Sequence, residues 1–351
     1  MANDIQVVIG GVDTHADNHV SAVIDSVGRL LEVQSFPADG AGCRQLLAWL
    51  RGFGQIQAVG VEGTGSYGAG LARLLTAAGV RVVEVDRPDR RARRGRGKSD
   101  PVDAEAAARA VLAGTANGTP KTRTGPVEAI RVLRVARSSA VKARTAALNA
   151  LLGTARAAVE PLAEHTTGRS ARELLEFAIN FDPTGQDRAD PAVAAHLAMT
   201  RLARRIQHLD QEIHDADKDL RTLTSTTAPD LCARPGVGPE VAAQLLITAG
   251  DNPQRVTGDA AFARLSGVAP LTASSGRTTR HRLSRGGDRQ ANRALHTVVL
   301  SRMNPDQRTR DYVSKRTAQG LSKREIMRCL KRYVARELLP LINAALSPTT
   351  T

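Results

Sequence analysis

Apolar residues fall in short blocks through the first ~115 positions, and the blocks change period as they go. Residues 5–13 form an apolar, strand-like run. Residues 19–25 and 29–36 continue it as two further strands, separated by a turn-like Ser-Val-Gly. The period then shifts: Leu46, Leu47, Trp49 and Leu50 give residues 43–53 a helical face. Residues 57–62 read as a fourth strand. Residues 67–78 read as a helix closed by Gly79. A fifth strand over 81–85 and an Ala-rich helix over 101–112, closed by Gly114, complete this part.

The order is three strands, helix, strand, helix, strand, helix. It predicts an α/β fold of RNase-H-like type, a mixed sheet with helices on its faces. A Rossmann-type unit fits less well. No GxGxxG follows the first strand, and no helices separate the first three strands.

The remainder is predicted to be helical. In residues 127–159, Arg131, Arg134 and Arg137 recur every three positions along one side, and no acid follows Glu128. Residues 181–190 (FDPTGQDRAD) read as a loop. Met199, Leu202, Ile206, Leu209, Ile213, Ala216 and Leu220 then make a heptad seam. This coiled-coil helix pairs either with 127–159 of the same chain or with a second copy. Residues 231–246 (LCARPGVGPEVAAQLL) suit a helix-hairpin-helix: Gly236 and Gly238 permit a tight turn, and Pro239 opens the second helix. Its first backbone N–H groups can face a phosphate. A simple Gly-rich turn is the alternative. A polar loop over 270–290 and a long basic helix over 322–345 close the chain. The expected regions are therefore 1–122, a helical coiled-coil part over 123–224, and a mainly helical part over 225–351.

The chain has 351 residues, 42% of them hydrophobic, enough for real cores. It carries 49 Lys plus Arg against 35 Asp plus Glu, a net charge of +14. Such a surplus implies a polyanionic partner, most often nucleic acid. Aromatics are only 3%, which argues against a fold built on base-stacking platforms. The charge is uneven: residues 1–86 sum to −4 and the rest to +18. Cys43, Cys232 and Cys329 make no CxxC pair or zinc pattern. With no signal peptide and no apolar run of membrane length, a cytoplasmic (nucleoid-associated) protein is expected, with no membrane partner.

Four acids stand at strand ends and a helix start. Asp13 ends the first strand in GVDTH and Glu62 the fourth in GVEGTGSY; Asp100 and Asp103 open a helix in KSDPVDA. Ends on one edge of a mixed sheet converge, so the four suit one or two Mg²⁺ (or Mn²⁺) ions for phosphoryl transfer. Taken singly, each acid also fits a cap or a satisfied polar position. Just before Asp100 comes RPDRRARRGRGK, with Arg90, Arg91, Arg93, Arg94, Arg96 and Lys98 available to hold a phosphate backbone. The polar loop adds Arg277, Arg280, Arg282 and Arg285, which can balance charge on a transferring phosphoryl group. It offers no carboxylate before Asp288. His281, in that loop, is the one histidine placed near proposed chemistry, as a phosphate or solvent contact.

GVDTH, VEGTGSY, KSDPVDA, PGVGPEVAA, LSGVAPLTASSG and RLSRGGDRQANRAL occur in this order along nearly the whole chain. Together they resemble the insertion-sequence-110 family of transposases, related to the Piv invertases. That resemblance implies a RuvC-like domain carrying a DEDD tetrad, which falls on Asp13, Glu62, Asp100 and Asp103. It also implies a serine nucleophile in the C-terminal domain, on Ser275 of ASSG. Ser274 adjoins it, and Ser284 in RLSRGG also falls on a family serine. The implied activity is recombination of DNA element ends with a target through a phosphoserine link, guided in some members by a structured RNA. Family active sites are assembled between protomers, implying a homo-oligomer (dimer or tetramer). Two readings compete: a resolvase-like endonuclease that uses water, and a non-enzymatic nucleic-acid-binding protein.

Overall fold

In a computed structural model the chain is described over residues 6–85, 99–182, 184–256, 258–276, 281–282, 284 and 286–347. The first strand run becomes β1 (Val7–Thr14), followed by β2 (Asn18–Asp25) and β3 (Leu30–Pro37). Helix α1 (Gly40–Gly52) begins where the Asp39 carboxylate accepts the Gly42 N–H at 2.7 Å. Then come β4 (Gln55–Glu62), α2 (Ala69–Ala77), β5 (Val82–Val85) and α3 (Asp100–Leu112). The five strands lie in the order β3-β2-β1-β4-β5. β1 is antiparallel to β2 and parallel to β4, so the sheet is mixed, as the element order implies.

β1 is central and buried on both faces, which explains its unbroken apolar run. Its even positions Val8 and Val12 join Leu46, Leu50, Leu71 and Leu75 under α1 and α2. Its odd position Ile9 packs with Ile24 and Ala108 under α3. At the edge, β3 is mostly exposed on alternate residues.

The chain divides into two compact units: 1–123 with 252–255, and 124–251 with 256–351. The returning segment is bonded within the first unit. Asn252 Nδ2 donates to the Pro120 carbonyl at 3.2 Å, and Arg255 Nε donates to that of Thr119 at 3.0 Å.

The second unit is mostly helical. α4 (Pro126–Arg156) and α7 (Pro191–Thr227) are its long members, joined through the short α5 (Leu162–Thr166) and α6 (Ala171–Ile179). The pairs Arg137–Asp217 and Arg144–Asp210 advance along α4 while receding along α7, so the two run antiparallel as a hairpin within one chain. Met199, Ile206, Leu209 and Leu220 of the heptad are buried. Next come α8 (Pro229–Cys232), a single turn, and α9 (Pro239–Ala249). α10 (Asp259–Leu265), the strand pair β6 (Leu271–Thr272) and β7 (His281–Arg282), α11 (Arg289–Arg302), α12 (Gln307–Ala318) and α13 (Lys323–Leu346) follow. Their core gathers Leu245, Leu246, Phe262, Leu295, Val298 and Leu338. Among the described residues, no helix is long and apolar enough to cross a membrane.

Candidate metal centre and basic surfaces

The acids of the first unit are placed by two glycines. A Cβ at Gly11 would lie 2.2 Å from the Ala104 carbonyl oxygen and 2.3 Å from the Ala108 nitrogen, so α3 rests directly on β1. A Cβ at Gly60 would lie 2.8 Å from the Ala107 carbonyl oxygen, so α3 also crosses β4 closely, though less so than β1. Strand side chains alternate, so residues two positions on face the same way. Asp13 follows Gly11 by two, and Glu62 follows Gly60 by two. Both acids therefore belong to the face that α3 covers, and the first turn of α3 carries Asp100 and Asp103.

Three of these groups form a tight set. Ligand atoms of Asp13, His15 and Asp100 all lie within 4.8 Å of one another. His15 Nε2 is 3.1 Å from Asp13 Oδ2 and 3.4 Å from Asp100 Oδ1. Asp13 and Asp103 are buried, whereas Asp100 and His15 are partly open to solvent. Burial pushes the Asp13 carboxyl above the ordinary carboxylate range; His15 opposes this, and the charges of Asp100 and Asp103 add to it. Asp103 is thus within electrostatic reach, although among the described residues it lies outside the set of three, as does Glu62. The Glu62 backbone is nonetheless tied in: its carbonyl accepts the Thr14 hydroxyl at 2.8 Å. That bond clamps the ends of β1 and β4 together.

His15 is the residue that sequence reasoning missed, having placed only His281 near the chemistry. The signal was present in GVDTH, because positions 13 and 15 share a side by strand alternation. His19, on β2, is buried beside it and has its titration lowered, first by burial. His281 is exposed on β7 in the second unit.

A carboxylate pair with a third carboxylate in reach is an oxygen-rich donor set of the kind hard divalent cations take. The raised protonation of Asp13 comes first from burial, with the neighbouring Asp100 and Asp103 adding to it. The residues present therefore fit a divalent ion.

In the second unit, Ser274 and Ser275 are exposed on the connection between β6 and β7. Ser284 is half-buried between β7 and α11, with its hydroxyl 3.5 Å from the Gly286 carbonyl oxygen. Arg282 is exposed on β7. Both oxygens of Asp288 are occupied: Oδ1 caps α11 through Gln290 N and Ala291 N, and Oδ2 accepts from Thr248 at 2.7 Å and Gln244 at 3.1 Å. That carboxylate is a structural cap, not a spare base. Gly236 takes a positive φ of 78°, and a Cβ there would meet Ser301 Cβ at 3.1 Å. Gly238 is exposed at the N-terminus of α9.

The arginine row on α4 meets acids from its own chain. Arg131 pairs with Glu128, Arg134 with Glu240 at the start of α9, and Arg137 with Asp217 on α7. The acids absent from this stretch of sequence are supplied largely by other helices. Arg90, Arg91, Arg93, Arg94, Arg96, Lys98, Arg277, Arg280 and Arg285 lie outside the described residues.

Residues 10–158 match a DEDD transposase family of IS110, described as Transposase. Residues 229–314 match the Transposase IS116/IS110/IS902 family. The chain is also similar to the "Insertion element IS110 uncharacterized 43.6 kDa protein" of Streptomyces coelicolor, with 41% identity over 95 residues. That match covers 26% of this chain and 23% of the relative's length. Two matches to one family, one over the acid-bearing unit and one over the serine-bearing region, place the chain in the IS110 family of transposases.

Proposed function

We propose that the chain is a metal-dependent DNA transposase that cuts and rejoins the ends of an insertion sequence. The observation that carries this is the convergence of Asp13, His15 and Asp100 on the edge of a mixed sheet, with Asp103 in electrostatic reach. The sheet order β3-β2-β1-β4-β5, with one antiparallel meander and two parallel neighbours, supports an RNase-H-like reading of the first unit. Asp13, Asp100, Asp103 and Glu62 would hold Mg²⁺ or Mn²⁺. Such an ion supplies Lewis-acid stabilisation of charge on a phosphoryl oxygen.

Ser275 is the proposed nucleophile. Its Oγ forms a bond to phosphorus while the bond from phosphorus to one deoxyribose oxygen breaks. The serine proton ends on the departing hydroxyl. Attack by a new strand's hydroxyl on the phosphoserine reverses these changes and returns the proton, so strands are joined without net hydrolysis. Exposure of Ser275 supports this role, because the hydroxyl is open to a strand. Arg282, the basic segment before Asp100 and the turn at Gly236 and Gly238 are the proposed phosphate contacts. Arg131, Arg134 and Arg137 join them only by exchanging their own carboxylate partners. A guide RNA and a homo-oligomer belong to the same proposal.

The test is adduct trapping on element-end DNA with Mg²⁺ or Mn²⁺. Wild type is expected to give an SDS-stable protein–DNA complex, and Ser275→Ala none. Asp13→Asn should bind DNA but not cut it. Cutting by Ser275→Ala with no adduct would instead identify a nuclease that uses water. Unchanged activity in Asp13→Asn would remove the acids from the chemistry.

A further inference from the structure

A cavity lined by described residues lies wholly in the second unit. It has a volume of about 890 Å³, and α10, α12, α13 and β7 contribute to its wall. This size suits a small organic group and exceeds what a bare phosphate fills. Seven basic side chains line it against a single carboxylate, Glu325.

Two donors in this wall lack acceptors among the described residues. Nε of Arg316 and Nη1 of Arg332 are both buried and unpartnered. Buried guanidinium donors normally find an oxygen, so the pair marks a place for one. The arms are already fixed. Asp259 holds Arg332 at 2.8 Å, and Gln319 accepts from Arg316 Nη1 at 2.7 Å. At the cavity wall Lys331 is buried, with Nζ donating to Asn292 Oδ1 at 2.8 Å. A site so held loses little freedom on binding.

Beside the guanidinium groups stand two of the chain's three tyrosines. Tyr312 and Tyr333 meet edge to face, with ring centroids 5.5 Å apart and planes at 78°. Arg316 lies over the Tyr312 ring at 5.6 Å. Tyr333 is 52% exposed, so much of its ring surface remains open. In a chain with 3% aromatics, an exposed tyrosine at a basic cavity is a specific placement. A duplex groove is read by a protruding helix or ribbon, whereas this surface is concave. Anionic oxygens beside a flat ring are what one nucleotide offers when it leaves its stack.

We propose that this cavity takes a single unpaired nucleotide of a nucleic-acid strand, its phosphodiester on Arg316 and Arg332 and its base on the open face of Tyr333. The inference rests on the nucleic-acid reading above. It adds a site for one extrahelical or single-stranded residue within the second unit, with Arg282 and Ser284 also in its wall.

The full chain is titrated with 2-aminopurine probes: a duplex with one extrahelical 2-aminopurine, the same duplex fully paired, and a single strand, each as DNA and as RNA. The extrahelical probe is expected to bind about 10-fold tighter than the paired duplex, with its fluorescence quenched by stacking. Tyr333→Ala should abolish both the preference and the quench, and Tyr333→Phe should keep them. Because Tyr333 is half-exposed, its loss tests the site without removing core packing. Arg316→Gln should weaken the extrahelical probe more than the paired duplex. A preference for the DNA or the RNA version supports the site and identifies its strand. Equal affinity for extrahelical and paired probes, or a quench that survives Tyr333→Ala, overturns the inference while leaving duplex binding intact. Failure of every probe to bind overturns the nucleic-acid reading, and this site with it.

Discussion

His15 Nε2 lies 3.1 Å from Oδ2 of Asp13, and the same nitrogen is 3.4 Å from Asp100. One imidazole therefore joins an acid at a strand end to an acid at a helix start. Groups that orient metal-ligating carboxylates commonly govern affinity by ~10–100-fold. His15→Ala is accordingly expected to weaken Mn²⁺ binding by about that factor, read by the electron paramagnetic resonance of free Mn²⁺. Unchanged affinity would show that the imidazole merely caps the acids.

Gly11 decides whether α3 can reach the sheet. A methyl group there would sit 2.2 Å from the Ala104 carbonyl oxygen, well inside contact distance. Gly11→Ala should cost ~1–3 kcal/mol in thermal or urea unfolding and displace Asp100 from Asp13. Gly70→Ala meets nothing within 4 Å, and its stability should stay within ~1 kcal/mol of wild type.

Asp288 ties α11 to α9. Asp288→Ala removes the cap and leaves the buried Thr248 hydroxyl without that acceptor. A loss of ~2–3 kcal/mol is expected in urea unfolding. Asp288→Asn, which keeps a capping oxygen, should lose less. Equal losses for the two would mean that the cap contributes little.

Arg302 is 8% exposed and fork-bonded to Glu337 at 2.7 and 3.0 Å, while its Nε donates to the Pro235 carbonyl at 2.9 Å. Glu337→Ala strands a buried guanidinium. The carboxylate itself is 43% exposed, which tempers the pair, so ~1–3 kcal/mol is expected rather than the full value for a buried ion pair. A double-mutant cycle with Arg302→Met should recover most of that as coupling energy.

Binding of DNA through many phosphate contacts should weaken by ~10³ or more between 50 and 200 mM salt. A shallow slope in fluorescence anisotropy would remove the basic segments as a clamp on the backbone.

Much of the first unit was legible because period and burial agree in a mixed sheet. All five strands fall within two residues of where their apolar runs begin and end. The placing of the four acids at strand ends and a helix start was visible, and the structure gathers two of them, Asp13 and Asp100. His15 was not visible, because its meaning lies in its distance to Asp100, 85 residues away in the chain. The carboxylate partners of the arginine row on α4 were hidden for the same reason. Glu240 and Asp217 reach it only when α7 and α9 fold against it. Whether the heptad pairs in cis or in trans was also open, and the antiparallel ion pairs place it in cis within this chain.

The sequence by itself determined the order of strands and helices, the excess positive charge, the position of the acids at element ends, and the motifs that carry the family resemblance. These are local or summed properties, and local periodicity records them. Tertiary structure alone decided which charges are neutralised by partners, which glycines let α3 rest on β1 and β4, and which donors remain buried without acceptors. Those depend on distances between residues far apart in the chain, which close packing sets and one-dimensional spacing does not encode. The cavity around Arg316, Arg332 and Tyr333 belongs to this second class: its ring and its orphaned donors come together only when α12 and α13 pack side by side.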